Sequence, residues 1–98
     1  MSNKRIIFMG SSEISEIYLK SLLDSHYNII AVYSQPPRKK GRGMKVQESS
    51  VQKFSQLHNI QVFTPKNFYS ETTKKELQDL QPDLIIVMGY GLKLTKPI

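Results

Sequence analysis

Apolar residues in this chain come in short unbroken runs, separated by stretches in which they recur at helical spacing. Ile6-Ile7-Phe8-Met9 follows Lys4-Arg5 and stops at Gly10, a continuous run of the kind expected of a strand buried on both faces. Ser11 and Ser12 offer caps for a helix in which Ile14, Ile17, Tyr18 and Leu22 recur at helical intervals, with Leu19 and Leu23 widening the stripe. Asn28 to Ser34 reads as a second buried strand. After a polar, basic segment, Ser50 precedes a short helix with Val51, Phe54 and Leu57 on one side, and Asn59 stops it. Ile60 to Phe63 make a brief third strand. Ser70 and Glu71 open a further helix with Leu77 and Leu80 inward, and Pro82 ends it. Leu84 to Met88 is the most apolar strand of all.

The order βαβαβαβ predicts an α/β fold, a Rossmann-like parallel sheet with helices on both faces. Right-handed crossovers and the usual doubly wound strand order, 3-2-1-4, put the first two helices on one face and the third on the other. Strand four would normally be paired on both edges, yet only Gly89 to Ile98 follows it. Lys96-Pro97-Ile98 resembles the first turn of another helix. The chain is therefore expected to be the first part of a larger domain rather than a complete four-stranded unit. The open edge at residues 84–88 is expected to invite self-association.

Composition changes this picture in one place. The 98 residues carry a formal net charge of +6, and residues 35–45 (QPPRKKGRGMK) hold Arg38, Lys39, Lys40, Arg42 and Lys45 with no acid among them. Those five are drawn from fourteen basic residues, so the rest of the chain is close to neutral. A solvated, disordered loop is one reading of such a run. The other is a grip on a phosphate backbone, stiffened by Pro36 and Pro37 and loosened at Gly41 and Gly43. The absence of aromatic residues from the loop argues against a base-stacking platform for single strands. Charge by itself does not choose among RNA, DNA and acidic protein. There is no cysteine, which excludes disulfides, thiolate metal sites and thiol nucleophiles. No apolar run approaches the ~20 residues of a membrane span or the core of a signal peptide, and a cytoplasmic chain is expected.

Ligands of an open parallel sheet sit outside the carboxyl ends of the strands. After strand one, Gly10-Ser11-Ser12-Glu13 lacks the glycines of a dinucleotide fingerprint, and Glu13 stands where phosphates would lie. Strand two ends in Tyr33-Ser34 with no acid to hold a ribose. After strand four, Gly89-Tyr90-Gly91 lets another molecule approach the backbone, with Met88 and Leu92 as apolar walls for a flat, hydrogen-bonding ring; a tight turn with a surface tyrosine is the plainer alternative. Neither His26 nor His58 is placed for catalysis, and no metal-ligand spacing is present.

Taken together, Arg5 to Gly10, Tyr33-Ser34-Gln35-Pro36-Pro37-Arg38 with Gly41-Arg42-Gly43, Gln81-Pro82-Asp83 to Val87, and Gly89-Tyr90-Gly91-Leu92 resemble the N-terminal part of the methionyl-tRNA formyltransferases, in matching order along all 98 residues. The related formyltransferases that act on sugars or on glycinamide ribonucleotide generally lack the Gln-Pro-x-Arg…Gly-Arg-Gly segment. The resemblance implies transfer of a formyl group from 10-formyltetrahydrofolate to initiator methionyl-tRNA in translation initiation, without a metal. It implies that Arg38, Lys39, Lys40, Arg42 and Lys45 grip tRNA, with Arg42 the anchor. It also implies that Met88, Gly89, Tyr90, Gly91 and Leu92 form the pterin-binding edge. Ser12 departs from the family's usual proline, Pro37 from its usual aspartate, and Lys39-Lys40 from a less charged pair. The Asn-x-His segment and aspartate that carry catalysis in the family are not among these residues, nor is the C-terminal tRNA-binding domain. No catalytic residue is assigned, and the chain alone is expected to be inactive. A non-catalytic RNA-binding remnant, and another folate-dependent formyltransferase or formyl-folate hydrolase, are the alternatives.

Overall fold

The computed structural model describes residues 4–40, 45–66 and 70–90. Its elements run β1 (Ile6–Met9), α1 (Glu13–Asp24), β2 (Ile29–Tyr33), β3 (Arg38–Lys40), β4 (Lys45–Gln47), α2 (Ser50–Leu57), β5 (Val62–Phe63), α3 (Glu71–Asp79) and β6 (Leu84–Val87). The main sheet has the order β5-β2-β1-β6, and its pairings are all parallel. This is the expected doubly wound arrangement, with β5 and β6 as third and fourth strands. Register is even along β1 and β6, whereas one irregularity falls between Ile6 and Ile7 where β1 meets β2.

Alternation along β1 and β2 divides the core in two. On one face Phe8 and Val32 meet Leu19 of α1 and Val51 and Phe54 of α2. On the other, Ile7, Met9, Ala31 and Tyr33 meet Leu77 of α3, together with Tyr90. The first two helices thus share a face and the third takes the opposite one.

Two inward stripes differ from expectation. Ile14 is 64% exposed and Ile17 67%, and Tyr18 faces solvent as well. The stripe that meets the sheet is Ser15, Leu19, Leu22 and Leu23. A hydrogen bond sets this rotation: Ser15 Oγ donates to the Met88 carbonyl, drawing a polar residue inward at the first turn. Leu57, expected beside Val51 and Phe54, is 80% exposed at the last turn of α2. Gln52 and Ser55 are buried on that helix instead.

The helix ends share one device. His26, Asn59 and Gln81 follow the three helices at φ of 66°, 58° and 50°, the left-handed position more often filled by glycine. After α1 and α2 the chain closes with paired bonds, His26 N–H to Leu23 O with Tyr27 N–H to Leu22 O, and Asn59 N–H to Gln56 O with Ile60 N–H to Ser55 O. After α3 Gln81 N–H reaches Gln78 O, but the next residue is Pro82, which has no N–H for the second bond. The Arg5 guanidinium ties this helix end down at another carbonyl, donating to Leu80 O through Nε at 3.0 Å and Nη2 at 2.7 Å. Asp83 in turn accepts the Arg5 N–H at 2.7 Å, which registers β6 on β1.

The basic segment is neither a plain loop nor left without regular structure. β3 and β4 form an antiparallel hairpin in which Arg38 opposes Gln47, Lys39 opposes Val46 and Lys40 opposes Lys45. Arg42, Gly41 and Gly43 lie outside the described residues, as do Gly91, Leu92 and the Lys96-Pro97-Ile98 turn.

Candidate functional site at the strand ends

The sheet changes direction of winding between β1 and β6, because β1 leads to β2 on one side while β6 arrives on the other. At such a switch point the segments beyond the strands splay apart and leave a crevice. Three segments meet there: Gly10-Ser11-Ser12 after β1, Ser34-Gln35 after β2, and Met88-Gly89-Tyr90 after β6.

They are brought unusually close. A Cβ on Gly10 would stand 2.6 Å from the Met88 carbonyl oxygen and 2.8 Å from Ser15 Cβ, so only glycine lets β6 draw in beside the β1 turn. Gly89 takes φ +58°, and its carbonyl accepts Ser11 N–H at 3.0 Å. Ser12 caps α1, its hydroxyl accepting Ser15 N–H at 3.1 Å and lying 2.8 Å from Ser15 Oγ. The Ser12 side chain thus satisfies one of the open N–H groups at the start of α1.

The hydroxyl of Ser11 is fully engaged. It donates to Tyr90 O at 3.1 Å, accepts Gln35 N–H at 2.9 Å and accepts the Ser34 hydroxyl at 3.3 Å. Ser34 Oγ also meets Ser49 Oγ at 2.5 Å, and Ser49 caps α2 through Gln52 N–H at 3.0 Å. Gln35 Nε2 donates to Tyr90 O at 2.8 Å. Ser34 and Ser49 are buried and Ser11 is half-buried, so the inner end of the chain of hydroxyls is shielded from solvent.

Tyr90 is 2% exposed, its ring within the core on the α3 face. That disposes of the surface-tyrosine alternative. Burial holds the Tyr90 and Tyr33 phenols well above the ordinary tyrosine range; the charge of Glu76 adds to the effect at Tyr33, and Tyr33 to that at Tyr90. Both stay neutral near pH 7, so neither is a base there. Tyr33 also stacks on Phe63, ring centroids 5.1 Å apart.

Of the residues expected to form the pterin edge, Met88, Gly89 and Tyr90 converge on the switch point. Their carbonyls are largely committed to Ser15, Ser11 and Gln35. A carbonyl oxygen has two lone pairs, and both on Tyr90 O are taken, by Ser11 Oγ and Gln35 Nε2. Arg38, Lys39, Lys40 and Lys45 lie in the hairpin that begins three residues beyond Gln35. His26 occupies the turn after α1, and His58 caps α2 with its ring 4.3 Å from that of Phe54. Among the described residues no cluster of His, Cys, Asp or Glu could hold a metal, and no helix is long and apolar enough to cross a membrane. Sequence reasoning missed Ser11, Ser34, Ser49 and Gln35. The available signal was a serine within two residues of the end of each of the first two strands, Ser11 and Ser34.

An open parallel sheet with close-approach glycines at its switch point defines a doubly wound α/β domain. The chain belongs to the formyl transferase family, whose model, described as "Formyl transferase", matches residues 4–98. It is 45% identical over 94 residues to a methionyl-tRNA formyltransferase of Pseudomonas putida strain W619, and 44% identical over 94 residues to that of strain GB-1. Each match covers 96% of this chain and 30% of the relative, so the chain spans about a third of the length of these relatives.

Proposed function

We propose that this chain supplies the formyl-donor edge and the RNA-gripping arm of a methionyl-tRNA formyltransferase, residues 1–98 being the N-terminal portion of its formyltransferase domain. In this reading a formyl group passes from 10-formyltetrahydrofolate to initiator methionyl-tRNA in the cytoplasm. One observation supports it: the segment that leads from β2 into the basic hairpin is bonded, through Gln35, to Tyr90 O at the switch point where such sheets bind their ligands. The names of the relatives supply the substrate class. Arg38, Lys39, Lys40, Arg42 and Lys45 hold the tRNA backbone, and Met88, Gly89, Tyr90, Gly91 and Leu92 hold the pterin.

Replacing Arg38, Lys39, Lys40 and Arg42 with alanine should weaken initiator tRNA binding. It should also flatten a salt dependence whose log–log slope reaches about −4 when all five cations pair. An unchanged affinity in fluorescence anisotropy rejects the RNA assignment. The groups that move the amine's proton and steady the oxyanion are not assigned to these residues, so the chain by itself is expected to give no formyl transfer. Turnover of 10-formyltetrahydrofolate by the purified chain, above a buffer control, contradicts this.

A further inference from the structure

The hairpin has two legs, and both are tied to one carbonyl. Its entering leg passes Gln35, whose N–H donates to Ser11 Oγ at 2.9 Å and whose side-chain amide donates to Tyr90 O at 2.8 Å. Pro36 and Pro37 follow. They contribute no N–H and have a restricted φ, so Gln35 is the last backbone donor before β3 begins. The leaving leg ends at Ser49, which meets Ser34 Oγ, and Ser34 donates to Ser11 Oγ, which donates to Tyr90 O. Displacing either leg therefore disturbs hydrogen bonds that end on the residue after Gly89.

We propose that Gln35, acting with Ser11, is a positioning joint that locks the base of the basic hairpin to the Tyr90 carbonyl, so that RNA on the hairpin and a folate at the Met88–Tyr90 edge bind cooperatively. The cooperative part rests on the function proposed above. Its physical origin is shared ordering. A ligand at either end restrains the same hydrogen-bonded unit, and the second ligand then has less freedom to remove. The network suits such a joint because Ser34 and Ser49 are buried, Ser11 and Gln35 half-buried, and the central Ser11 hydroxyl has no unused donor or acceptor. By linkage each ligand must tighten the other by the same factor, and couplings of this kind run from about fivefold to about 150-fold.

The test uses the full chain, initiator tRNA and 5-formyltetrahydrofolate. Saturating folate should tighten tRNA binding to the unmodified chain by about fivefold or more. In Gln35→Leu, and independently in Ser11→Ala, that factor should fall below about twofold, while Ser11→Thr, which keeps the hydroxyl, retains it. Equal coupling in Gln35→Leu and the unmodified chain overturns the joint, as does independent binding of the two ligands by the unmodified chain. Amide exchange without ligand separates this failure from failure of the proposed function. Gln35→Leu should speed exchange at residues 45–47 and 88–90 together, whether or not tRNA and folate bind at all. Unchanged exchange at both segments overturns the joint even if both ligands bind. Absence of all binding by the unmodified chain, with exchange altered as expected, rejects the functional reading and the cooperative role while leaving the mechanical link established.

Discussion

At Gly89 the backbone runs at φ +58°, and a Cβ there would lie 2.6 Å from Ser15 Oγ and 2.7 Å from Ser12 Oγ. Gly89→Ala adds the cost of a left-handed alanine to an overlap with the two hydroxyls that anchor α1. Together these come to about 2–4 kcal/mol of lost stability, measurable by urea unfolding. A loss below about 0.5 kcal/mol would mean that the serines give way freely. The pair of glycines around Tyr90 was visible in the chain as a place of close approach. What approaches Gly89 was not visible, because Ser12 and Ser15 are more than seventy residues away in sequence. Their hydroxyls carry no periodic signal that apolar patterning could register.

Among the helices, capping distinguishes otherwise similar serines. Ser12 accepts Ser15 N–H at the start of α1, whereas Ser70 makes no side-chain bond at the start of α3. Ser12→Ala should therefore cost about 1 kcal/mol, and Ser70→Ala no more than about 0.5 kcal/mol, in parallel thermal unfolding experiments. Equal costs would remove the cap as the cause. Element types and their order were legible because β1, β2 and β6 are short apolar runs and the helices are spaced and capped. The rotation of α1 was not. Ile14, Ile17 and Tyr18 satisfy the helical period as well as Leu19, Leu22 and Leu23 do, and a buried serine bonded to Met88 O decides between them. Nor was the hairpin legible. Charge, proline and glycine all read as breakers, and the two three-residue strands leave little room for alternation.

For the molecule as a whole, the buried phenols set the alkaline limit. Tyr33 and Tyr90 are raised above the value near 10 that tyrosine has in an unfolded chain. The unfolded state therefore loses those protons first. Stability is fully present below about pH 10 and declines as pH rises beyond it. Urea midpoints measured from pH 8 to 11 should fall most steeply above pH 10, and Tyr33→Phe and Tyr90→Phe should each make that fall shallower by up to one proton. Identical slopes in the parent and both variants would refute this account. Pairing of β1 with β6 has a temporal consequence. Ile6 and Leu84 are partners, yet the Arg5–Asp83 bond beside them spans 78 residues of sequence. At a synthesis rate of about 5–20 residues per second, the first strand waits roughly 4–16 s for its neighbour to be made. During that interval an apolar ribbon of the nascent polypeptide has one flank uncovered, and a chaperone at the ribosome exit would meet it before its own partner does.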